Sequence, residues 1–264
     1  MSWDLRLGDC LGPEGLASLA DKSVDHVICD PPYEAEAHTL QRRVKRVSGS
    51  GLNGGSYNGG MADTRTTRME PLSFPPITEP DRLAFSQEAA RVARRWVIVF
   101  CQAEAVRKWA DTLEDAGLTY RRAAVWVKPD AQPQLSGDRP GMGYESMVCA
   151  HVQGRSRWNA GGKVGVYTFN KNECTAHAHP TQKPLPLFEA LIRDFTDPGE
   201  LILDPFAGSG TTGVACKRLG RSFLGWERDP KFYADAVRRL DNTREQMEFL
   251  PRLPKPKQGK LCGL

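Results

Sequence analysis

Short apolar runs and longer amphipathic stretches take turns along this chain. Runs of β-type residues occupy 4–9, 25–29, 96–101, 123–127, 146–151, 201–204 and 222–227. Several, such as Val97-Ile98-Val99-Phe100, are apolar without alternation, as expected of strands covered on both faces. Between them, residues 79–95 place Leu83, Phe85, Ala89, Ala90 and Val92 near one helical face, and a second pattern over 103–118 stops at Gly117. Residues 184–199 start with proline and end on Pro-Gly. Residues 229–250 read as a long final helix, with Asp229 as its N-cap and Pro230 in its first turn. This alternation predicts an α/β fold with a mostly parallel sheet and helices on both faces.

Two regions break the rhythm. Residues 45–65 are rich in Gly, Ser and Asn and supply no core, so they read as a loop of the long kind that is usually functional or disordered. Residues 128–180 carry many Gly, Pro and polar residues, with few long apolar runs after His151. The resulting organisation is one domain over 1–250, with a catalytic half at 1–128, an insertion at 129–178 and a second half at 179–250. A basic, proline-containing tail at 251–264 is expected to be disordered.

Composition narrows the class. With 264 residues and 40% apolar content the chain can bury one substantial core. No stretch approaches the roughly 20 apolar residues of a membrane span. The start "MSWDLRLGDC" lacks a basic region followed by an apolar run, which argues against a signal peptide. Seven scattered cysteines suit a reducing cytoplasm better than a disulfide framework. The net charge of +4 hides an uneven distribution: residues 38–68 and 121–183 each sum to +5, leaving −6 for the rest. Two basic regions on a mildly acidic body suggest a polyanionic partner, although solvated loops would look the same.

The chemistry concentrates in two places. Asp30-Pro31-Pro32-Tyr33 ends an apolar strand with an acid, two rigid residues without backbone donors, and an aromatic ring. That is either a plain strand-ending turn or a small pocket with a fixed carboxylate and a stacking ring. The second place is the run from Gly199 to Gly220, where an apolar strand leads through Asp204 and Phe206 to Gly208-Ser209-Gly210 and a helical stretch. Such glycines let a ligand approach the backbone, and the helix start offers free N–H groups to an anion. No Gly-Lys-Ser/Thr follows, which excludes a Walker-type phosphate loop. Gly208, Gly210 and Gly213 do match the dinucleotide fingerprint, and Glu227 ends the next strand where an acid binds ribose hydroxyls. A nicotinamide nucleotide and an adenosyl cofactor both fit this pattern.

Taken together, "GDCL…LADKSVDHVICDPPY" and "HPTQKP…LILDPFAGSGTTG…GWERDP" resemble the amino-group DNA methyltransferases that depend on S-adenosylmethionine, in the motif order of their β permutation class. The resemblance covers residues 4–33 and 179–240 directly. It implies a Rossmann-like methyltransferase with a seven-stranded sheet and circularly permuted motifs, in which strand 4–9 completes the cofactor half and brings Asp9 beside Glu227. It also implies residue roles. Asp204, Phe206, Gly208, Ser209 and Gly210 match the loop around the methionine part of the cofactor, Glu227 the ribose-binding acid and Asp9 the adenine contact. Thr181 and Lys183 match the block at the methionine end, and Asp30, Pro31, Pro32 and Tyr33 the catalytic block, with Asp30 also touching the cofactor side.

The implied reaction is methylation of the N6 amine of a flipped adenine in double-stranded DNA, with cytosine-N4 as the close alternative. Asp at position 30 favours adenine, because the cytosine-N4 group more often carries Ser there. A glutamine-directed protein methyltransferase would usually begin the block with Asn. A nicotinamide-dependent oxidoreductase would leave Asp-Pro-Pro-Tyr and "HPTQKP" without a purpose, and a non-catalytic relative would have lost one of the blocks. The family places target recognition in the segment corresponding to 129–178. Candidate DNA contacts are therefore Arg139, Arg155, Arg157 and Lys163 there, together with Arg42, Arg43, Lys45 and Arg46. No metal is expected, since the spacing of Cys174, His177 and His179 matches no usual zinc site. Whether the protein is a monomer or a homodimer is left open by the sequence, as is pairing with a restriction nuclease.

Overall fold

The fold is described from a computed structural model covering residues 2–34, 43–45, 68–70, 75–133, 137, 139–171 and 182–244. The strands are β1 (Trp3–Leu7), β2 (His26–Cys29), β3 (Arg43–Lys45), β4 (Arg68–Glu70), β5 (Trp96–Cys101), β6 (Thr119–Val127), β7 (Tyr144–His151), β8 (Val166–Thr168), β9 (Leu201–Asp204) and β10 (Ser222–Glu227). The α-helices are α1 (Glu79–Val92), α2 (Val106–Asp115), α3 (Leu185–Phe195), α4 (Thr211–Arg218) and α5 (Pro230–Asn242). β3 and β4 pair with each other as a separate antiparallel ladder.

The other strands form one sheet in the order β1-β10-β9-β2-β5-β7-β6-β8. β7 runs against its neighbours β5 and β6, and every other pairing is parallel. The seven anticipated strands are all present. The eighth, β8, is not readable because a three-residue run behind Gly165 carries almost no pattern, and pairing with β6 is what makes it a strand. The segment 129–178 therefore contributes β7 and β8 to the sheet.

The unalternating apolar runs are explained by the layers. In β5, Val97, Val99 and Cys101 pack with Phe85 of α1 and Trp109 and Leu113 of α2. Trp96, Ile98 and Phe100 face the opposite way, onto Leu187, Phe188, Leu191 and Ile192 of α3 and the inner sides of α4 and α5. Both faces of the strand are thus removed from water, so both sets of residues must be apolar.

Local signals set the helix ends. α1 begins at a capping box in which the Thr78 hydroxyl accepts from the Asp81 amide and the Asp81 carboxylate accepts from the Thr78 amide, both at 3.3 Å. It stops at Val92 rather than 95, because the Arg94 amide is already donating to the Val24 carbonyl at 2.9 Å. Asp229 caps α5 as expected, accepting from the amides of Lys231 and Phe232. That helix ends at Asn242 and not at 250, because Thr243 turns to an extended conformation (φ −79°, ψ 128°); 245–264 lie outside the described residues. No helix among the described residues is long and apolar enough to cross a membrane.

The first strand completes the last half of the chain. β1 lies parallel to β10, with Leu7 opposite Glu227, and the two halves meet where β2 pairs with β9. Loops from both halves leave the sheet at the carboxyl ends of these strands. This is where α/β folds of this kind bind ligands.

Candidate active site

Asp30 follows directly on β2, and Pro31-Pro32 carry the chain away from the sheet in an extended, non-helical course. The Tyr33 carbonyl accepts from the Ile77 amide at 3.2 Å, which pins the far end of the turn. Asp30 Oδ2 accepts from Lys183 Nζ at 2.5 Å, whereas Asp30 Oδ1 is buried with no hydrogen-bond partner among the described residues. Such an orphan acceptor is costly and marks a place where a donor belongs.

A fourth residue completes the cluster. The Tyr33 hydroxyl donates to Glu145 Oε2 at 2.5 Å, and the Lys183 ammonium reaches the same oxygen at 3.1 Å. Glu145 Oε1 takes Lys128 Nζ at 2.9 Å. Lys183 also stands 5.4 Å from the ring centroids of Tyr33 and Phe100. Sequence reasoning missed Glu145. Its signal was an acid opening the apolar run of 146–151, on a strand whose start sits at the same end of the sheet as Asp30.

Proton affinities in the cluster follow from burial and pairing. Burial pushes the Asp30 carboxyl up, against the opposing pull of Lys183. For Lys183, burial lowers the value, but Asp30 and Glu145 more than offset it and the ammonium is held above its ordinary range. Burial likewise raises Glu145, yet Lys183 and Lys128 overcome it and hold the carboxylate well below its usual range. Burial and the neighbouring carboxylates keep the Tyr33 hydroxyl protonated.

The second half supplies a shaped loop. After β9, the Asp204 carboxylate accepts from the Phe206 amide at 3.0 Å and the Thr212 hydroxyl at 2.5 Å, tying both ends of the turn together. Burial lifts this carboxyl to about 7, although both hydrogen bonds oppose the shift. Gly208 and Gly210 have φ values of 54° and 76°. A Cβ on Gly210 would also stand 3.0 Å from the Ala236 methyl of α5. The Gly208 amide donates to Glu227 Oε2 at 2.8 Å, and Glu227 Oε1 accepts from the Asp229 amide at 2.7 Å.

Each remaining candidate can now be placed. Asp9 follows Gly8, whose amide donates to the Glu227 carbonyl at 2.9 Å, so the two acids share one rim despite their distance in sequence. Lys183 joins the two halves, but its described contacts are with Asp30, Glu145 and Tyr33. The Phe206 ring leans on Phe85 at 5.5 Å, and Ser209 accepts from Arg239 through both its carbonyl and its hydroxyl. These contacts brace the loop against α1 and α5. Thr181, Arg42, Arg46, Cys174, His177 and His179 lie outside the described residues. Arg43 and Lys45 lie in the β3–β4 ladder.

The basic residues of 129–178 divide between the two ends of the sheet. Arg139 is exposed in the loop joining β6 to β7, at the Asp30 end. Arg155, Arg157 and Lys163 follow the carboxyl end of the antiparallel β7, which is the opposite end, so the fold does not bring them to Asp30. Arg157 pairs there with Asp197, and Lys163 with Asp194 at 2.5 Å. Charge counting could not foresee this, because it carries no information about strand direction.

The sequence model of the N6/N4 methyltransferase family, described as DNA methylase, matches residues 24–238. The chain belongs to this family. Among its relatives, the type II methyltransferase M.HinfI of Haemophilus influenzae is 27% identical over 259 residues, covering 88% of this chain and 67% of the relative. The type II methyltransferase M2.DpnII of Streptococcus pneumoniae is 49% identical over 75 residues, 28% of each protein. The crystal structure of the M1.HpyAVI–SAM complex superposes with a TM-score of 0.64 at 24% identity, covering 90% of this chain and 99% of that one. The cytosine-N4-specific PvuII DNA methyltransferase superposes at 0.67 with 17% identity, covering 93% and 89%. This DNA methylase fold is thus the one that holds the Asp30 cluster and the Gly208 loop at a common rim.

Proposed function

We propose that the protein is an adenine-N6 DNA methyltransferase that uses S-adenosylmethionine as donor and acts on a base flipped out of double-stranded DNA. The observation that carries this reading is the buried, unpartnered Asp30 Oδ1 on a turn made rigid by two prolines. The rim suits the donor: Glu227 and Asp9 stand together there, and Gly208 has nothing nearer than 3.9 Å to the position of an added Cβ, leaving room for a ligand at the backbone. Glu227 and Asp9 would hold the adenosine part, and the Gly208 loop the methionine part.

When bound, the donor supplies a methyl group whose bond to a sulfonium sulfur breaks as the bond to the amine nitrogen forms. An exocyclic amine is a poor nucleophile because its lone pair is delocalised into the ring. Asp30 Oδ1 and the Pro31 carbonyl would accept its two N–H groups and favour a pyramidal nitrogen with a localised lone pair. Their rigidity means little reorganisation during the reaction. The nitrogen gains positive charge on alkylation, beside the Asp30 carboxylate, and then loses one proton to that carboxylate or to water. Tyr33 would stack on the flipped base, an interaction worth about 1–3 kcal/mol. Phosphate contacts are assigned to Arg139 and the Arg42–Arg46 cluster; Arg155, Arg157 and Lys163 would reach only DNA that extends past the far end of the sheet.

Cytosine-N4 methylation is the second reading, since the same acceptors serve either amine and PvuII methyltransferase shares the fold. Duplex DNA treated with the protein and the donor, then digested and resolved by mass spectrometry, separates the two. N6-methyladenine is expected; N4-methylcytosine would establish the second reading, and no methylated base would overturn both.

A further inference from the structure

Glu145 contacts Tyr33 of the catalytic block and the two lysines beside it. Its carboxylate receives the Tyr33 hydroxyl at 2.5 Å, Lys183 at 3.1 Å and Lys128 at 2.9 Å. Its side chain is only 14% exposed, and both oxygens are engaged. We infer that Glu145 is a positioning residue for methyl transfer, dividing the Lys183 ammonium with Asp30 so that Asp30 stays available to the substrate amine. This rests on the functional reading above.

Two physical arguments support it. The first is competition for an acceptor. Lys183 lies between two carboxylates and donates to both. Without the Glu145 charge, the ammonium would concentrate on Asp30, the same carboxylate that must accept the amine N–H, and would drain its acceptor strength. The second is charge balance. Asp30, Glu145, Lys128 and Lys183 sum to zero, and alkylation adds positive charge at the amine nitrogen. A site left at +1 by loss of Glu145 would oppose that development, in surroundings where charge is poorly screened. Tyr33 adds geometry, because its hydroxyl bond to Glu145 fixes the ring on which the base stacks.

Two substitutions separate a charge role from a merely structural one. E145Q keeps the shape and an acceptor for Tyr33 but removes the charge, whereas E145D keeps the charge with a shorter reach. The charge role predicts that E145Q loses about 30–100-fold in kcat while E145D stays within about tenfold of wild type. The KM for DNA and the cofactor Kd, measured by calorimetry, should change less than about threefold in both variants. A structural role predicts the reverse order, because Gln is the better isostere. The inference is overturned if E145Q keeps its kcat, if E145Q outperforms E145D, or if the loss appears in cofactor or DNA affinity instead. Should E145Q melt below the assay temperature, E145D is compared with E145A: kcat nearer wild type supports the inference, and kcat as low as that of E145A overturns it. A wild-type protein that methylates no DNA would overturn the functional reading itself, which distinguishes the two failures.

Discussion

At Asp30 one carboxylate oxygen is saturated by Lys183 and the other is left waiting, and this asymmetry defines what the residue can do. Replacing Asp30 with Ala removes both. Methyl transfer is expected to fall by at least about 10²-fold, the usual loss for one preorganised group, with cofactor binding retained. Single-turnover rates and calorimetry on the same preparation check this, and loss of cofactor binding would contradict the role. Glu227 behaves differently, because its carboxylate already accepts the Gly208 and Asp229 amides. Glu227→Ala is expected to weaken cofactor binding by about 10–100-fold, since it removes a charged acceptor and loosens the loop together. An unchanged Kd would count against its place at the cofactor rim.

At the scale of elements, the loop from β9 to α4 works because several constraints agree. Asp204 ties its ends, Arg239 of α5 grips Ser209 from behind, and Gly210 turns through a left-handed conformation against Ala236. Gly210→Ala is expected to cost about 1–3 kcal/mol, combining the left-handed backbone penalty with crowding at 3.0 Å. Urea unfolding should show a lower midpoint with an unchanged slope. The turn glycines were legible in sequence because a left-handed backbone conformation restricts residue type so strongly. The bracing contacts of Phe206 and Ser209 were not, since a motif match does not show which distant residues a side chain packs against. β8 and Glu145 were invisible for a related reason: each owes its place to residues distant in sequence, β6 for the one and the Asp30 cluster for the other.

At the scale of the whole molecule, two halves that are far apart in the chain must be held in register. Part of that seam lies at the end of the sheet opposite the site. Glu200, just before β9, takes His26 of β2 at 2.8 Å, Arg95 at 3.1 Å and the Asp197 amide. Burial would raise its carboxyl, but the His26 and Asp197 hydrogen bonds and Arg95 outweigh this and bring it to about 2. A carboxyl depressed in the folded state contributes stability that is complete above its unfolded value, near 4.5, and lost as pH falls toward 2. Glu200→Gln is expected to lower stability at pH 7 by on the order of 2–3 kcal/mol and to flatten its dependence between pH 4.5 and 2. Thermal melts across that range check both the magnitude and the sign. Alternating apolar runs made the sheet and its helices readable, and motif order made the permutation readable. The seam was not, because His26 and Glu200 are 174 positions apart and no motif match pairs them.

The pairing of β1 with β10 also bears on the order of events at the ribosome. β1 is synthesised well before its sheet neighbour among the described residues: Trp3 pairs opposite Phe223, which is made about 220 residues later. At typical rates of roughly 5–20 residues per second, that interval is about 10–45 s. Through it β1 lacks β10, its one sheet partner among the described residues, and Asp9 at its tip lacks Glu227 beside it. The nascent chain can pair β2 with β5 early, but β1 and β9 are joined only when β10 arrives between them. Methylating activity should therefore switch on only after β10 has been made, with no partly competent enzyme before it.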